Sequence, residues 1–281
     1  VQFIRHAVTT RKGHVLPRDL YDVLAGRGTS SVSPFGPTDL LSLLEEALPV
    51  YLQMIEPTRD GPATQEQLAV FSVFNSLNVV SLRPILLALS RSADATSGMN
   101  ALLRLVMRRI VVGNLGTGNV ERRFGQAAER IAREGRWETA LESLSDLNHE
   151  PVEFRTQVHR RSMNRNLLSV LRRSVLQDSI TPEPDGFLYL IKPRDSDWSA
   201  GDQDRAAYWS STIGNTFLAT EARRPIGSST WLGFKEHLLP LHVEGEVTEM
   251  IASHEEWNIE AISEVGFEIA ERAVKVWYGD Q

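Results

Sequence analysis

The residue types that could do hydrolytic chemistry lie in the last third of the chain. His237, His242 and His254 are candidate bases or metal ligands, and His237 stands in the segment Glu236-His237-Leu-Leu-Pro240. A histidine can take a proton from an attacking water. The His-x4-His spacing lacks a third ligand at helical spacing, and the chain has no cysteine, so the sequence does not favour a conventional zinc site.

A second candidate is Asn215, which follows Ile213 and Gly214 in an Ile-Gly-Asn segment and leads into a short apolar run. An asparagine beside a glycine is also a common turn residue, since both tolerate positive φ. A role in catalysis and a role in a turn therefore both stay open for Asn215.

Several elements must position these residues. The segment Thr181-Pro-Glu-Pro-Asp-Gly186 is typical of a linker, and an apolar strand that runs into Pro193 follows it. A helix is predicted from Thr230, which places His237 one turn after Gly233. The segment from Glu255 to Trp277 predicts a long amphipathic helix with Ile262, Val265 and Ile269 in its buried stripe.

The first 180 residues predict an all-helical unit. Pro37 begins a helix whose leucines are expected to be core, and Thr64-Gln-Glu-Gln67 has the pattern of a capping box. Residues 30–37 are expected to form a loop. The glycine-rich run 113–118 lacks the Gly-Lys-Ser/Thr ending of a phosphate loop, so a helix end and a turn are favoured. The leucines expected in the core are Leu40, Leu41, Leu44, Leu48 and Leu52.

Two further features of the helical unit involve basic residues. His6 is expected to bond to backbone at a helix end, or alternatively to contact nucleic acid or an upstream domain. Four arginine pairs are expected either to make internal ion pairs or to form a DNA-contacting face. The pairs are Arg108 with Arg109, Arg122 with Arg123, Arg160 with Arg161, and Arg172 with Arg173.

Composition limits the classes of protein that fit. No cysteine is present, so disulfides and thiolate metal sites are excluded, and no apolar run is long enough to span a bilayer. We therefore expect a soluble, cytoplasmic protein without a membrane partner. Residues 1–180 hold 22 Lys and Arg against 18 Asp and Glu, a net +4, whereas residues 181–281 hold 8 against 18, a net −10. Electrostatics favours the first part for any contact with phosphates.

The run Trp209-Ser-Ser-Thr-Ile-Gly-Asn215-Thr-Phe-Leu, followed by Trp231-Leu-Gly-Phe-Lys235, resembles the C-terminal His-Me finger (HNH-type) domain of the bacterial GmrSD-like modification-dependent restriction endonucleases. A Phe-Ile-Arg-His6 segment and the order Arg-Arg-Ile, glycine loop, Asn-x-x-Arg-x-Phe124 resemble the helical middle region of the same family. The resemblance covers most of the chain. It implies a helical bundle at 1–180 and a small ββα-like domain at 181–281, mainly α with a minor α+β part.

The resemblance also implies catalytic roles for some residues, and at other positions this chain differs from the family's catalytic pattern. Asn215 and Lys235 match the family's asparagine and lysine. The segment Glu236-His237-Leu-Leu-Pro240 is similar to the family's Glu-His-Ile-x-Pro motif, which carries the catalytic histidine, but it follows Ile-Gly-Asn, whereas the family's motif precedes Gly-Asn. Alignment on Pro193 places Leu190 where the family has its catalytic histidine, and a leucine cannot accept a proton from water. Arg224 falls at the family's second asparagine. Mg²⁺ or Mn²⁺ is the implied cofactor if the domain is active.

Three hypotheses follow. The first is a degenerate, inactive nuclease fold in a restriction or phage-defence protein, which serves DNA or partner recognition and assembly. The second is an active metal-dependent DNA endonuclease whose base comes from His237 or His242. The third is a helical adaptor unrelated to nucleic acid. Family resemblance further implies an upstream ParB-like nucleotide-hydrolysing domain, or a separate partner protein, and a homo-oligomer is compatible with all three.

Overall fold

A computed structural model describes residues 1–27, 36–113, 119–245 and 247–279. The chain forms two compact units, Val1–Asn148 and His149–Gln281. Both are built mainly from helices, which confirms the predicted mainly α class. The predicted loop at 30–37 and the glycine run after Gly113 fall largely outside the described residues. None of the helices within the described ranges is long and apolar enough to traverse a lipid bilayer.

The regular elements among the described residues of the first unit are all helices, joined by turns and loops. Its helices are α1 (Gln2–Lys12), α2 (Leu20–Ala25), α3 (Pro37–Ile55), α4 (Gln65–Ser76), α5 (Arg83–Leu89), α6 (Ala95–Val112), α7 (Asn119–Glu134) and α8 (Glu138–Glu142). The contacts of α1 and α5 with α7 form the centre of this unit.

Local sequence signals explain where two of these helices begin. Pro37 occupies the first turn of α3, where its missing amide hydrogen has no intrahelical acceptor. At α4, the Thr64 side chain accepts a hydrogen bond from the Gln67 amide, while the Gln67 side chain accepts one from the Thr64 amide. This arrangement is the predicted capping box, and it is confirmed.

The predicted buried face of α3 is wrong in part. Leu41 and Leu48 are 56% and 41% exposed, and the core instead receives Leu43, Ala47 and Tyr51. Both faces of α3 carry apolar residues at helical spacing, so periodicity alone did not distinguish the face that packs against the rest of the unit from the one that does not.

The second unit combines helices with a two-stranded antiparallel sheet. Leu190 pairs with Thr216 and Phe187 with Ala219, which confirms the predicted strand before Pro193. The elements are α9 (Pro151–Arg160), α10 (Arg165–Gln177), β1 (Phe187–Leu190), α11 (Ala206–Trp209), β2 (Thr216–Ala219), α12 (Trp231–Gly233), α13 (Thr248–Ser253) and α14 (Ile259–Tyr278). A π turn (Phe234–Leu238) and a 3-10 turn (Leu239–Leu241) continue α12.

The long C-terminal helix α14 organises this unit. It begins at Ile259, later than the predicted start at Glu255, because the Asn258 side chain caps it by accepting from the Ala261 amide. Ile262, Val265 and Ile269 are buried, as predicted. Helices α9 and α10 both pack against α14. For that reason the compact units divide at Asn148, whereas the linker pattern predicted a domain boundary at residue 180.

Candidate functional site

The candidate site of the second unit is centred on Asn215, whose side chain is fully buried. Its Oδ1 accepts hydrogen bonds from the Lys192 amide (3.0 Å) and from the Trp257 indole Nε1 (2.9 Å). Its Nδ2 donates to the carbonyls of Lys192 (2.7 Å) and Ser210 (3.0 Å). A side-chain amide has two donors and two acceptor positions, so all four are in use.

Gly214 supports the same site through its missing side chain. A Cβ at this position would lie 1.9 Å from the Ile262 carbonyl oxygen and 2.7 Å from the Gly266 amide nitrogen, both in the backbone of α14. Only glycine permits this close approach. The Ile-Gly-Asn segment therefore contains one residue that lets α14 come near and one that joins three chain segments by hydrogen bonds.

Aromatic residues surround this polar centre. The Trp257 ring stacks on Trp231 at 5.0 Å between centroids, and Trp231 stacks on Phe234 at 5.4 Å. Lys235, the predicted catalytic lysine, donates from Nζ to the His254 carbonyl (2.6 Å), and Nζ lies 4.8 Å from the centroid of the Trp231 ring. The contacts of Lys235 thus connect the turn after α12 to the segment before α14.

A second lysine joins the network from the other side. Lys192 is almost fully buried, and its Nζ donates to the Trp257 carbonyl (3.1 Å) and lies 5.1 Å from the Trp198 ring centroid. Sequence reasoning did not identify Lys192 or the Trp257 contact. The signal available was a lysine directly before Pro193 in an apolar strand, where a charge needs internal partners.

The end of β1 is where the family resemblance places the catalytic base. Leu190 ends β1, and its carbonyl accepts a hydrogen bond from Nη1 of Arg224 (2.6 Å). Arg224 also donates to the Ile191 carbonyl (3.2 Å) and from Nε to Ser228 Oγ (3.0 Å). Desolvation lowers the pKa of this half-buried guanidinium. The residue at this end of the strand is therefore aliphatic, and the backbone carbonyls there bind a guanidinium.

Of the candidate histidines, His237 and His242 lie outside this network, whereas His254 contacts it. His237 is exposed, and its Nε2 is 3.7 Å from a carboxylate oxygen of Glu236. His242 is exposed beside the 3-10 turn, with Nδ1 3.3 Å from the Leu239 carbonyl oxygen. His254 packs edge-on against Trp257. No group of three or more His, Asp or Glu side chains that could hold a metal ion occurs among the described residues.

The arginine pairs of the first unit make mainly internal contacts. Arg123 forms an ion pair with both carboxylate oxygens of Asp146, which lowers the pKa of that carboxyl, and it also donates to the Ser143 carbonyl. Arg122 donates to Asn119 (2.9 Å) and Arg108 to Asn148 (3.2 Å). Arg109 is half-buried.

The arginine pairs of the second unit also include members that are buried or bonded within the protein. Arg172 is 1% exposed, and Arg173 donates to the carbonyls of Asp185 (2.7 Å) and Gly186 (2.6 Å) at the start of β1. Arg160 is exposed and Arg161 half-buried, at the end of α9. These contacts favour the internal-pairing interpretation for most members. DNA contact by the eight arginines stays a prediction.

A separate buried polar cluster surrounds His6 in the first unit. His6 is 1% exposed in the middle of α1, not at a helix end, and it bonds to side chains instead of backbone. Arg5 approaches its Nε2 (3.1 Å) and the Tyr51 hydroxyl its Nδ1 (3.1 Å). Because arginine can only donate, Nε2 is the acceptor and Nδ1 carries the proton. Burial, then the charges of Arg5 and Arg83, lower the pKa of His6 from 6.5 to about 4.

Comparison with known proteins adds no assignment to this geometry. No protein-family model matches the sequence, and a search of curated proteins finds no significant match.

Proposed function

We propose that this chain belongs to a restriction or phage-defence protein similar to the GmrSD-like family, and that its nuclease-like C-terminal part serves recognition and assembly in place of phosphodiester cleavage. The observation that carries the proposal is the complete use of the Asn215 amide inside the protein. An amide with no vacant donor or acceptor cannot orient a histidine or a metal ion without breaking bonds in the core.

The order of elements supports the family relationship. A strand ending at Leu190, a long connection, an antiparallel strand and a helix beginning at Trp231 follow one another as in a ββα finger. The residue at the end of the first strand supports the loss of catalysis. Leu190 supplies no base, and Arg224 bonds to the two carbonyls there.

The contacts of the arginines favour a protein partner over DNA. Counterion release requires arginine side chains that can reach phosphates. Arg123, Arg172 and Arg173 are engaged within the protein or buried, and the C-terminal 101 residues carry the net −10 charge. An acidic surface repels a nucleic acid backbone and suits a basic protein surface.

Plasmid nicking tests the proposal. The chain is incubated with supercoiled DNA, plain and base-modified, in Mg²⁺ or Mn²⁺, beside His237→Ala and His242→Ala. We expect no metal-dependent nicking by any of the three proteins. The matched control is Val152→Ala, which changes an exposed residue of α9 with no predicted role. Nicking by the unchanged chain and the control that is lost in either histidine variant would establish an active nuclease with a rearranged base.

A further inference from the structure

The exposed face of α3 carries an apolar stripe with coiled-coil spacing. Leu41, Leu48 and Ile55 follow one another at intervals of seven residues and are 56%, 41% and 50% exposed. The half-buried Leu44 and Leu52 lie between them. Positions 41, 44, 48, 52 and 55 are separated by three or four residues throughout, which places all five on one side of the helix. We call these five residues the α3 stripe.

Most of the α3 stripe lies outside the core of its own unit, since three of its five residues are exposed and two are half-buried. The buried residues of α3 are Leu43, Ala47, Tyr51 and Met54, together with Gln53, whose amide contacts the loop at Arg59 and Ala63. Burial of the apolar side chains of the stripe against another helix would gain free energy in proportion to the area removed from water. A continuous exposed stripe of this kind is typical of a docking surface for an amphipathic helix.

The charges of α3 determine which helix fits. From Pro37 to Glu56 there are four acidic residues and no Lys or Arg: Asp39, Glu45, Glu46 and Glu56. Glu46 pairs with Arg91, which follows α5 (3.3 Å), and the exposed Glu56 pairs with the exposed Arg59 (3.8 Å). Glu45 is exposed and makes no ion pair with any residue that the structure describes. Glu45 lies next to Leu41 and Leu48 on the helix surface, at four and three residues' spacing.

Pro49 leaves one backbone carbonyl of the same region without its helical hydrogen bond. Proline has no amide hydrogen, so the Glu45 carbonyl lacks the helical donor that position 49 would otherwise supply. This carbonyl and the Glu45 carboxylate are both acceptors. A partner that carries lysine or arginine beside its apolar residues provides donors and positive charge for them.

From these features we infer that α3 docks a basic amphipathic helix of a partner protein, with the α3 stripe as the apolar contact and Glu45 and Glu56 as the charged edge. A second copy of this chain is the poorer occupant, since two acidic α3 helices would face each other with like charges. The inference concerns the first unit alone and does not depend on the function proposed for the second.

Peptide binding to the full 281-residue chain tests the inference. The probes are two fluorescein-labelled peptides of 19 residues, the length of α3, with the same leucine spacing. One carries lysine and arginine beside its leucines, and the other carries glutamate. We expect fluorescence anisotropy to give at least about tenfold tighter binding of the basic peptide, with the difference reduced at high salt.

Two variants locate the contact. Leu48→Gln is expected to weaken binding of the basic peptide about tenfold or more, because the variant has no leucine side chain to bury against the peptide. Val152→Gln, a matched change of an exposed aliphatic residue on α9, is expected to leave binding unchanged. Glu45→Lys combined with Glu56→Lys keeps the apolar stripe and is expected to transfer the preference to the acidic peptide.

Several results would overturn the inference. Equal binding of both peptides, no binding of either, or equal weakening by Leu48→Gln and Val152→Gln would each do so. Concentration-dependent dimerisation in sedimentation velocity that disappears in Leu48→Gln would assign the stripe to a second copy of the chain instead.

Discussion

The two units each bury a polar cluster around a residue that sequence reasoning marked as a functional candidate. Asn215 in the second unit and His6 in the first are 0% and 1% exposed, and both bond within the protein. The two residues differ in whether their side chains ionise as the pH falls. The amide of Asn215 has no ionised form near neutral pH, whereas His6 must stay neutral to keep its bond from Arg5. Each residue therefore stabilises its own unit, but only the contribution of His6 depends on pH.

The largest expected effect belongs to Asn215. Asn215→Ala removes the partners of the Lys192 amide, the Trp257 indole and the carbonyls of Lys192 and Ser210. Each buried group left without a partner costs about 1–3 kcal/mol, so the free energy of unfolding should fall by about 4 kcal/mol or more. Urea denaturation at pH 7, followed by tryptophan fluorescence, measures the loss.

Asn215→Asp sharpens this prediction. Aspartate keeps oxygen acceptors, and it would hold a metal ion at least as well as asparagine, but it cannot donate to the carbonyls of Lys192 and Ser210. We expect it to destabilise the protein about as much as Asn215→Ala, with or without Mg²⁺. The exposed Asn75, whose side chain donates to the Ile55 carbonyl (3.3 Å), provides the control Asn75→Ala. Recovery of stability by Asn215→Asp in Mg²⁺ would indicate a metal-binding role.

The second prediction concerns pH and His6. Its pKa is about 4 in the folded protein and near 6.5 in the unfolded chain, so the unfolded chain binds more protons between these values. Stability from this residue is therefore complete above pH 6.5 and falls as the pH approaches 4. The loss amounts to about 3 kcal/mol between pH 7 and pH 4.

His6→Gln isolates that contribution, because glutamine keeps polar atoms near Arg5 and Tyr51 but does not titrate. The variant should be less stable than the unchanged chain at pH 7, and the difference should shrink by about 3 kcal/mol by pH 4. Urea denaturation at several pH values measures it. A difference that stays constant over this range would show that His6 keeps an ordinary pKa. Asn215→Ala should show that constant difference.

The smallest expected effect tests the tautomer assigned to His6. Tyr51→Phe removes the hydroxyl that accepts from Nδ1 and leaves the ring of Tyr51 in place against Phe3. The free energy of unfolding should fall by about 1–2 kcal/mol at pH 7, since one buried donor loses its acceptor. A change within about 0.3 kcal/mol would indicate that Nδ1 carries no proton or finds another acceptor.

The sequence predicted the structure best at places where a few neighbouring residues determine the local conformation. The capping box at Thr64, the proline start of α3 and the strand before Pro193 depend on a few neighbouring residues, and the structure contains each of them. The buried stripe of α14 was predictable for a related reason, because its other faces carry charges and leave one apolar side.

The remaining features depend on contacts between distant segments. Which face of α3 packs inward is set by the rest of its unit, and both faces carry leucine. The partners of Asn215 come from Lys192 and Trp257, which are 23 and 42 residues away in the chain. The residue type of Asn215 is equally suited to a metal site, a turn or a core network, and only its complete set of hydrogen bonds distinguishes them.

The central claim is that Asn215 acts inside the fold and not on a metal ion. The most direct measurement is an NMR titration with Mn²⁺ of the chain labelled with ¹⁵N in its six tryptophans. The Trp257 indole N–H donates to Asn215 and reports on the space beside it. We predict that its signal exchanges slowly with solvent and keeps its intensity as Mn²⁺ is added. Selective broadening of that signal by Mn²⁺, reversed by Mg²⁺, would place a metal at Asn215 and contradict the account.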